Sequence, residues 1–153
     1  MPSATVRIRV PFVDVDSSDR IHFTAMMRYF EVAEHAMMRA AGLPYATALK
    51  GTAFPRVHLD VDFRAPVVFD MLLDVEARVE RLGTTSWTDA FSVRRAPDDT
   101  ADLPNAAPPG ALVAQGHMTI VAMDPATQRP TPLPAELRRA LTAEIPPYAE
   151  DAS

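Results

Sequence analysis

Hydrophobic and polar residues alternate one by one over most of this chain, and only one long stretch in its first half changes to a three-and-four spacing. From Thr5 to Phe12, Val6, Ile8, Val10 and Phe12 point one way and Arg7 and Arg9 the other, the period of a half-buried strand. The period returns at 54–64, with Val57, Leu59, Val61 and Phe63 set against Arg56, His58, Asp60, Asp62 and Arg64. It returns again at 71–82, at 87–95 and at 111–123. Between the first and second of these runs, residues 24–41 place Met26, Tyr29, Phe30, Ala33, Met37 and Ala40 on one helical face. Arg28, Glu31, His35 and Arg39 share the other face, with Arg28/Glu31 and Glu31/His35 spaced to pair. Thr24 is a suitable N-cap, and Gly42-Leu43-Pro44 is a stop. The helix would be ~25 Å long, enough to lie across a whole sheet.

The breakers set the order of these elements. Gly83-Thr84-Thr85 is a turn. Residues 96–110 have no apolar period and are rich in Pro, Asp and Ala, so they are expected to form an exposed loop. A connector with three prolines spans 124–133, a short helix is expected at 134–142, and the last residues should fray. The order is strand, long helix, then four strands joined by short links. That order predicts one α+β domain over 1–153, with a five-stranded antiparallel sheet twisted around a single apolar helix. Its open edges and remaining apolar surface would favour a homo-oligomer.

Composition removes several classes. The chain has no cysteine, which excludes disulfides, thiolate nucleophiles and zinc–thiolate sites and fits the cytoplasm. It has no run of ~18 apolar residues, so no membrane-spanning helix is expected, and MPSATVRIRV lacks a signal core. The net charge is −5, and no dense Lys/Arg cluster marks a nucleic-acid footprint. A Gly-x-Ser-x-Gly elbow and a Gly-rich phosphate loop are both missing. His22, His35, His58 and His117 fall on separate elements without metal-ligand spacing, so no metal is expected.

What remains is the turn before the helix, where Asp14, Asp16 and Asp19 crowd into six residues. Such a run can be a solvated turn whose acids cap local N–H groups. It can also be a site. Free N–H groups at a helix start stabilise developing negative charge. A carboxylate beside them can attack a thioester carbonyl or hold the water that does.

The residues carrying this turn resemble a known family. V-x-F-x-D-x-D over 10–16, R-Y-F-E-x-A-E over 28–34 and Ala41-Gly42-Leu43 are similar to the hotdog-fold acyl-CoA thioesterases. The nearest groups are the 4-hydroxybenzoyl-CoA and Tol-Pal-associated thioesterases. Phe63-Arg64-Ala65-Pro66, Val79 to Ser86 and Ala111 to Gly116 extend the likeness along the chain. The resemblance implies hydrolysis of acyl-CoA or aryl-CoA thioesters, the acyl group being carried on coenzyme A or on acyl carrier protein. It needs no cofactor beyond the CoA moiety of the substrate. It assigns Asp16 as nucleophile or general base and the Phe23 backbone N–H as the carbonyl-polarising donor. It places the active site at the interface of a dimer or a dimer of dimers, with Arg81, Thr85 and Ser86 as CoA-phosphate candidates. Two departures stand out. Ser17-Ser18-Asp19 replaces a glycine-containing turn, and His22 sits one position before the usual histidine, where it could supply the polar group Phe23 lacks. Two other functions compete: a non-catalytic acyl-CoA binder, and a hotdog hydratase or dehydratase.

Overall fold

The structure is a computed structural model and describes residues 1–46 and 49–153. Its elements are β1 (Ser3–Arg9), α1 (Phe23–Ala40), β2 (Arg56–Phe63), β3 (Leu72–Leu82), β4 (Ser86–Arg95), β5 (Leu112–Val121), β6 (Met123–Asp124), β7 (Arg129–Pro130), α2 (Ala135–Thr142) and β8 (Tyr148–Asp151). The five expected strands form one sheet in the order β2-β5-β4-β3-β1, every pair antiparallel. A sixth strand corrects that count. The C-terminal segment expected to fray pairs instead as β8, parallel to β1. It covers one sheet edge, while β2 leaves the other open.

β1 ends earlier than the alternation suggested. Pro11 has no N–H for the ladder, so the pairing closes at Val10, whose N–H donates to the Met71 carbonyl and whose carbonyl accepts the Asp70 N–H. Phe12, expected on the inward face, lies in a 3₁₀ turn over Phe12–Asp14 and is exposed.

α1 is seated by its apolar stripe. Met26, Phe30, Ala33 and Met37 are fully buried, and Phe30 stacks on Phe91 of β4 with centroids 4.3 Å apart. The helix ends as the sequence required. Gly42 is left-handed at φ +81°, its N–H bonds the Arg39 carbonyl, and the Leu43 N–H bonds the Met38 carbonyl. Gly116 on β5 faces the helix at a close approach. A Cβ there would lie 2.8 Å from the Phe30 ring and collide with the Asp60 carbonyl of β2. Gly116→Ala should therefore cost about 2–4 kcal/mol, read as a lowered urea midpoint.

The 96–110 segment carries no helix or strand, and its acid Asp99 turns inward. Arg95 Nε donates to Asp99 Oδ2 at 2.8 Å, and its other nitrogens reach the Ala101 and Ala107 carbonyls. The Leu72 N–H donates to the same carboxylate. These bonds tie the segment to the start of β3.

Candidate active site

The turn between β1 and α1 sorts its three aspartates into different environments. Asp14 is buried beneath the helix, where it accepts from the Tyr29 hydroxyl at 2.6 Å and pairs with Arg28. This corrects the expected Arg28/Glu31 pair: an acid removed from water needs the countercharge more than an exposed Glu31 does. The Asp14 carbonyl also accepts the His22 N–H, which fixes the entry to the helix.

Asp16 is exposed. Its backbone N–H bonds the Arg20 carbonyl at 2.9 Å and its carbonyl accepts from the Asp19 N–H, with Asp19 left-handed at φ 61°. This Ser17-Ser18-Asp19 turn closes without glycine because Asp tolerates that conformation. The Ser18 hydroxyl and N–H both donate to Asp16 Oδ1, at 2.5 and 2.8 Å. The hydroxyl, then the N–H, hold the Asp16 carboxyl below the ordinary carboxylate range, and the nearby His22 adds to this. The second oxygen, Oδ2, has no partner among the described residues.

The helix begins one residue earlier than expected. His22, not Thr24, is the N-cap, and its Nδ1 accepts the Thr24 N–H at 3.3 Å and contacts Thr24 Oγ1 at 2.7 Å. With Nδ1 engaged as acceptor, the neutral ring carries its proton on Nε2. His22 also stacks on the exposed Phe23 ring, centroids 4.8 Å apart. The Ala25 N–H is taken by the His22 carbonyl, whereas the Phe23 N–H meets no acceptor among the described residues.

Two clefts open on either side of Arg20. The first, of about 370 Å³, runs between the helix start and the β2–β3 link, with Phe23, Phe63 and Arg64 on its walls. The second, of about 530 Å³, lies between Ser18-Asp19, Val68-Asp70 and Leu103-Asn105. The pinned 96–110 segment thus forms one wall beside the aspartate turn.

The structure brings Asp16, His22 and Phe23 together. It does not bring Arg81, Thr85 and Ser86 to them within one chain. Arg9 of β1 pairs with Leu72, so the aspartate turn sits at the start of β3, whereas Arg81 lies at its end. Nine steps along the strand, Leu72 to Arg81, separate the two by roughly 30 Å. Arg81 lines a different cleft, with His58, Asp60, Glu80 and His117 on the sheet face away from α1. Among the described residues, no cluster of three His, Asp or Glu could hold a metal ion, and no helix is long and apolar enough to cross a membrane.

The sequence reading missed Glu34 and Asp89. Both are fully buried. Glu34 accepts from the Tyr45 hydroxyl and from Arg56 at 2.8 Å. Among the described residues Asp89 accepts only the Trp87 indole N–H, at 3.2 Å, and its Oδ1 has no partner. Their spacing was the available signal: Glu34 falls on the helix's apolar face, and Asp89 lies between Trp87 and Phe91 in the inward register of β4.

This architecture, a sheet curled around one long helix with an acidic turn at the helix mouth, is the hotdog fold. It aligns with a 1,4-dihydroxy-2-naphthoyl-CoA thioesterase from Synechocystis at TM-score 0.78 and 18% identity, over 91% of this chain and 95% of that one. A gentisyl-coenzyme A thioesterase aligns at TM-score 0.73 and 20% identity, over 90% and 99%. An Aquifex aeolicus protein provisionally named an esterase is 26% identical over 88 residues, 57% of this chain and 69% of its own. The sequence model of the Thioesterase superfamily matches residues 19–101, and the chain belongs to that superfamily. It is a hotdog-fold thioesterase.

Proposed function

We propose that the protein hydrolyses acyl-CoA or aryl-CoA thioesters, with the Asp16 carboxylate attacking the carbonyl or activating water and the Phe23 N–H holding the oxyanion. The unengaged Phe23 N–H at the start of α1, one turn of chain from an ionised and half-free carboxylate, is the observation that carries this reading. That N–H is the positive end of an 18-residue helix, where charge developing on a thioester oxygen is stabilised. A lowered pKa makes Asp16 a weak base that is fully ionised at neutral pH, which favours direct attack by Oδ2. Attack would give an acyl–Asp16 anhydride and free thiolate, and water would then release the acid. No cofactor takes part.

A second copy of the chain would complete the site. Among the described residues β2 is an unpaired edge, and its Val57 and Leu59 stand exposed, an arrangement that invites pairing. Antiparallel β2–β2 pairing would turn the second copy end for end. Its Arg81, Thr85 and Ser86 would then lie at the same end as Asp16, where the CoA phosphates could reach them.

A panel of acyl-CoA and aryl-CoA substrates, followed by thiol release, tests the function. Binding without release across the panel would leave a CoA-thioester binder in place of the enzyme. The Ser18 contact makes a separate prediction. Hydrolysis requires ionised Asp16, so the acid limb of kcat/KM should lie below the ordinary carboxylate range. Ser18→Ala removes the largest contribution favouring the charged form and should move that limb to higher pH, with the plateau rate retained.

A further inference from the structure

We propose that Arg20 and Arg64 hold an anionic group, carried on a planar ring, in the cleft walled by Phe23 and Phe63. This rests on the assignment of Asp16 as the reacting carboxylate. Arg20 lies in the Asp16 turn, its carbonyl bound by the Asp16 N–H, and Phe23 supplies the free N–H. The cleft therefore lies between the Asp16 turn and the helix start, and a group bound in it is taken to belong to the thioester.

The cleft differs in charge from its surroundings. In a chain of net charge −5, Arg20 and Arg64 are the only charged residues lining it. The neighbouring cleft, across Arg20, includes Asp19 and Asp70. The inward-reaching arginines of the fold are committed, Arg28 to Asp14, Arg56 to Glu34 and Arg95 to Asp99. Arg20 has no ion-pair partner among the described residues. Arg64 has only Asp62 at 3.6 Å, both groups exposed, a contact worth little in water. Two guanidinium groups are thus free to turn onto one anion, the geometry in which arginine binds carboxylate or phosphate best.

The walls specify the body that carries the anion. Phe23 is 59% exposed and Phe63 47% exposed, over a floor that includes Ile21, Pro66 and Val67. Phenylalanines left in water beside a cleft mark a surface awaiting cover. Their faces favour a flat ring, which guanidinium groups can also stack upon. Two parts of a CoA thioester have this chemistry: an aromatic acyl group bearing a carboxylate, and the phosphorylated adenosine of CoA.

The test uses Arg20→Met and Arg64→Met, singly and together, which keep the apolar stems and remove the charges. Four thioesters are compared: benzoyl and 4-carboxybenzoyl, each on CoA and on N-acetylcysteamine. The double variant should raise KM by roughly 10- to 100-fold for the matching substrates, the value of charge-assisted hydrogen bonds. A loss that follows the carboxyl group on both carriers supports the proposal and assigns the cleft to the acyl ring. A loss that follows CoA for both acyl groups supports it and assigns the cleft to the nucleotide. KM within two-fold of the parent for all four overturns it. Calorimetric binding of terephthalate and of 3′-phosphoadenosine 5′-phosphate gives a readout independent of turnover. If the parent hydrolyses nothing, the assignment of Asp16 fails. The cleft is then judged on binding alone, where loss in the double variant supports it and unchanged or absent binding overturns it.

Discussion

Asp16→Asn should reduce kcat/KM on the best thioester by on the order of 10³-fold or more, with little change in stability. Asparagine is chosen because it keeps the turn. Its Oδ1 can accept the Ser18 N–H and hydroxyl as the carboxylate does, so the Arg20 and Asp19 bonds that close the loop remain. Asp16 is exposed, and a substitution that preserves its local bonds should change stability by within ~0.5 kcal/mol. The charge and the attacking oxygen are what disappear. Measuring kcat/KM and the unfolding midpoint together separates loss of chemistry from loss of fold. Undiminished hydrolysis by the variant would remove Asp16 from the mechanism. The parent enzyme then distinguishes the two carboxylate roles. Label found in Asp16 after a single turnover in ¹⁸O water shows attack by Oδ2, because a solvent oxygen enters that carboxylate only when water opens the anhydride at the Asp16 carbon. Label confined to the product acid is the result for water activation, and trapping an acyl–Asp16 anhydride with hydroxylamine separates that case from opening of the anhydride at the acyl carbon.

Why Asp16 and not its neighbours could not be read from composition. Asp14, Asp16 and Asp19 are chemically alike, and only the 3₁₀ turn after Pro11 directs the first beneath Tyr29 and Arg28. The strands were legible because period two runs through their sequences, and in β3 and β5 it matches one buried face. The helix was legible because its stripe and its Gly42 stop agree. β8 was not. Tyr148–Asp151 carries no inward apolar row and exists because β1 offers it an unpaired edge. Thr24 as N-cap was a residue-type expectation, whereas the His22 ring nitrogen caps the helix two positions earlier by accepting the Thr24 N–H. The CoA-phosphate candidates show the same limit from the other side: Arg81, Thr85 and Ser86 belong to the opposite end of the sheet from the aspartate turn.

The least explained feature of the core is Asp89, and it predicts a stability that depends on pH. Burial pushes its carboxyl well above the ordinary carboxylate range, and the charge on Glu34 pushes it further, against the smaller pull of the Trp87 N–H and of Arg56. The sign follows from linkage. A raised folded-state pKa means that the native protein binds a proton the unfolded chain has released. Stability contributed by this group is therefore full below pH ~4 and is lost as pH rises toward the folded value, at about 1.4 kcal/mol per pH unit. Asp89→Asn keeps an acceptor for Trp87 and cannot ionise. It should match the parent in urea unfolding near pH 4 and exceed it by ~1–4 kcal/mol at neutral pH, the range found when buried charge is replaced by neutral groups. The low-pH comparison is the internal control, since protonated Asp and Asn bury nearly the same shape and leave the same orphan position at Oδ1. Parallel stability–pH curves for the two proteins would mean that Asp89 ionises without cost, and that Arg56 and the Trp87 N–H already balance its charge. Diverging curves would identify an acid retained against the stability of the fold, on the strand that also carries Trp87 and Phe91 under the long helix.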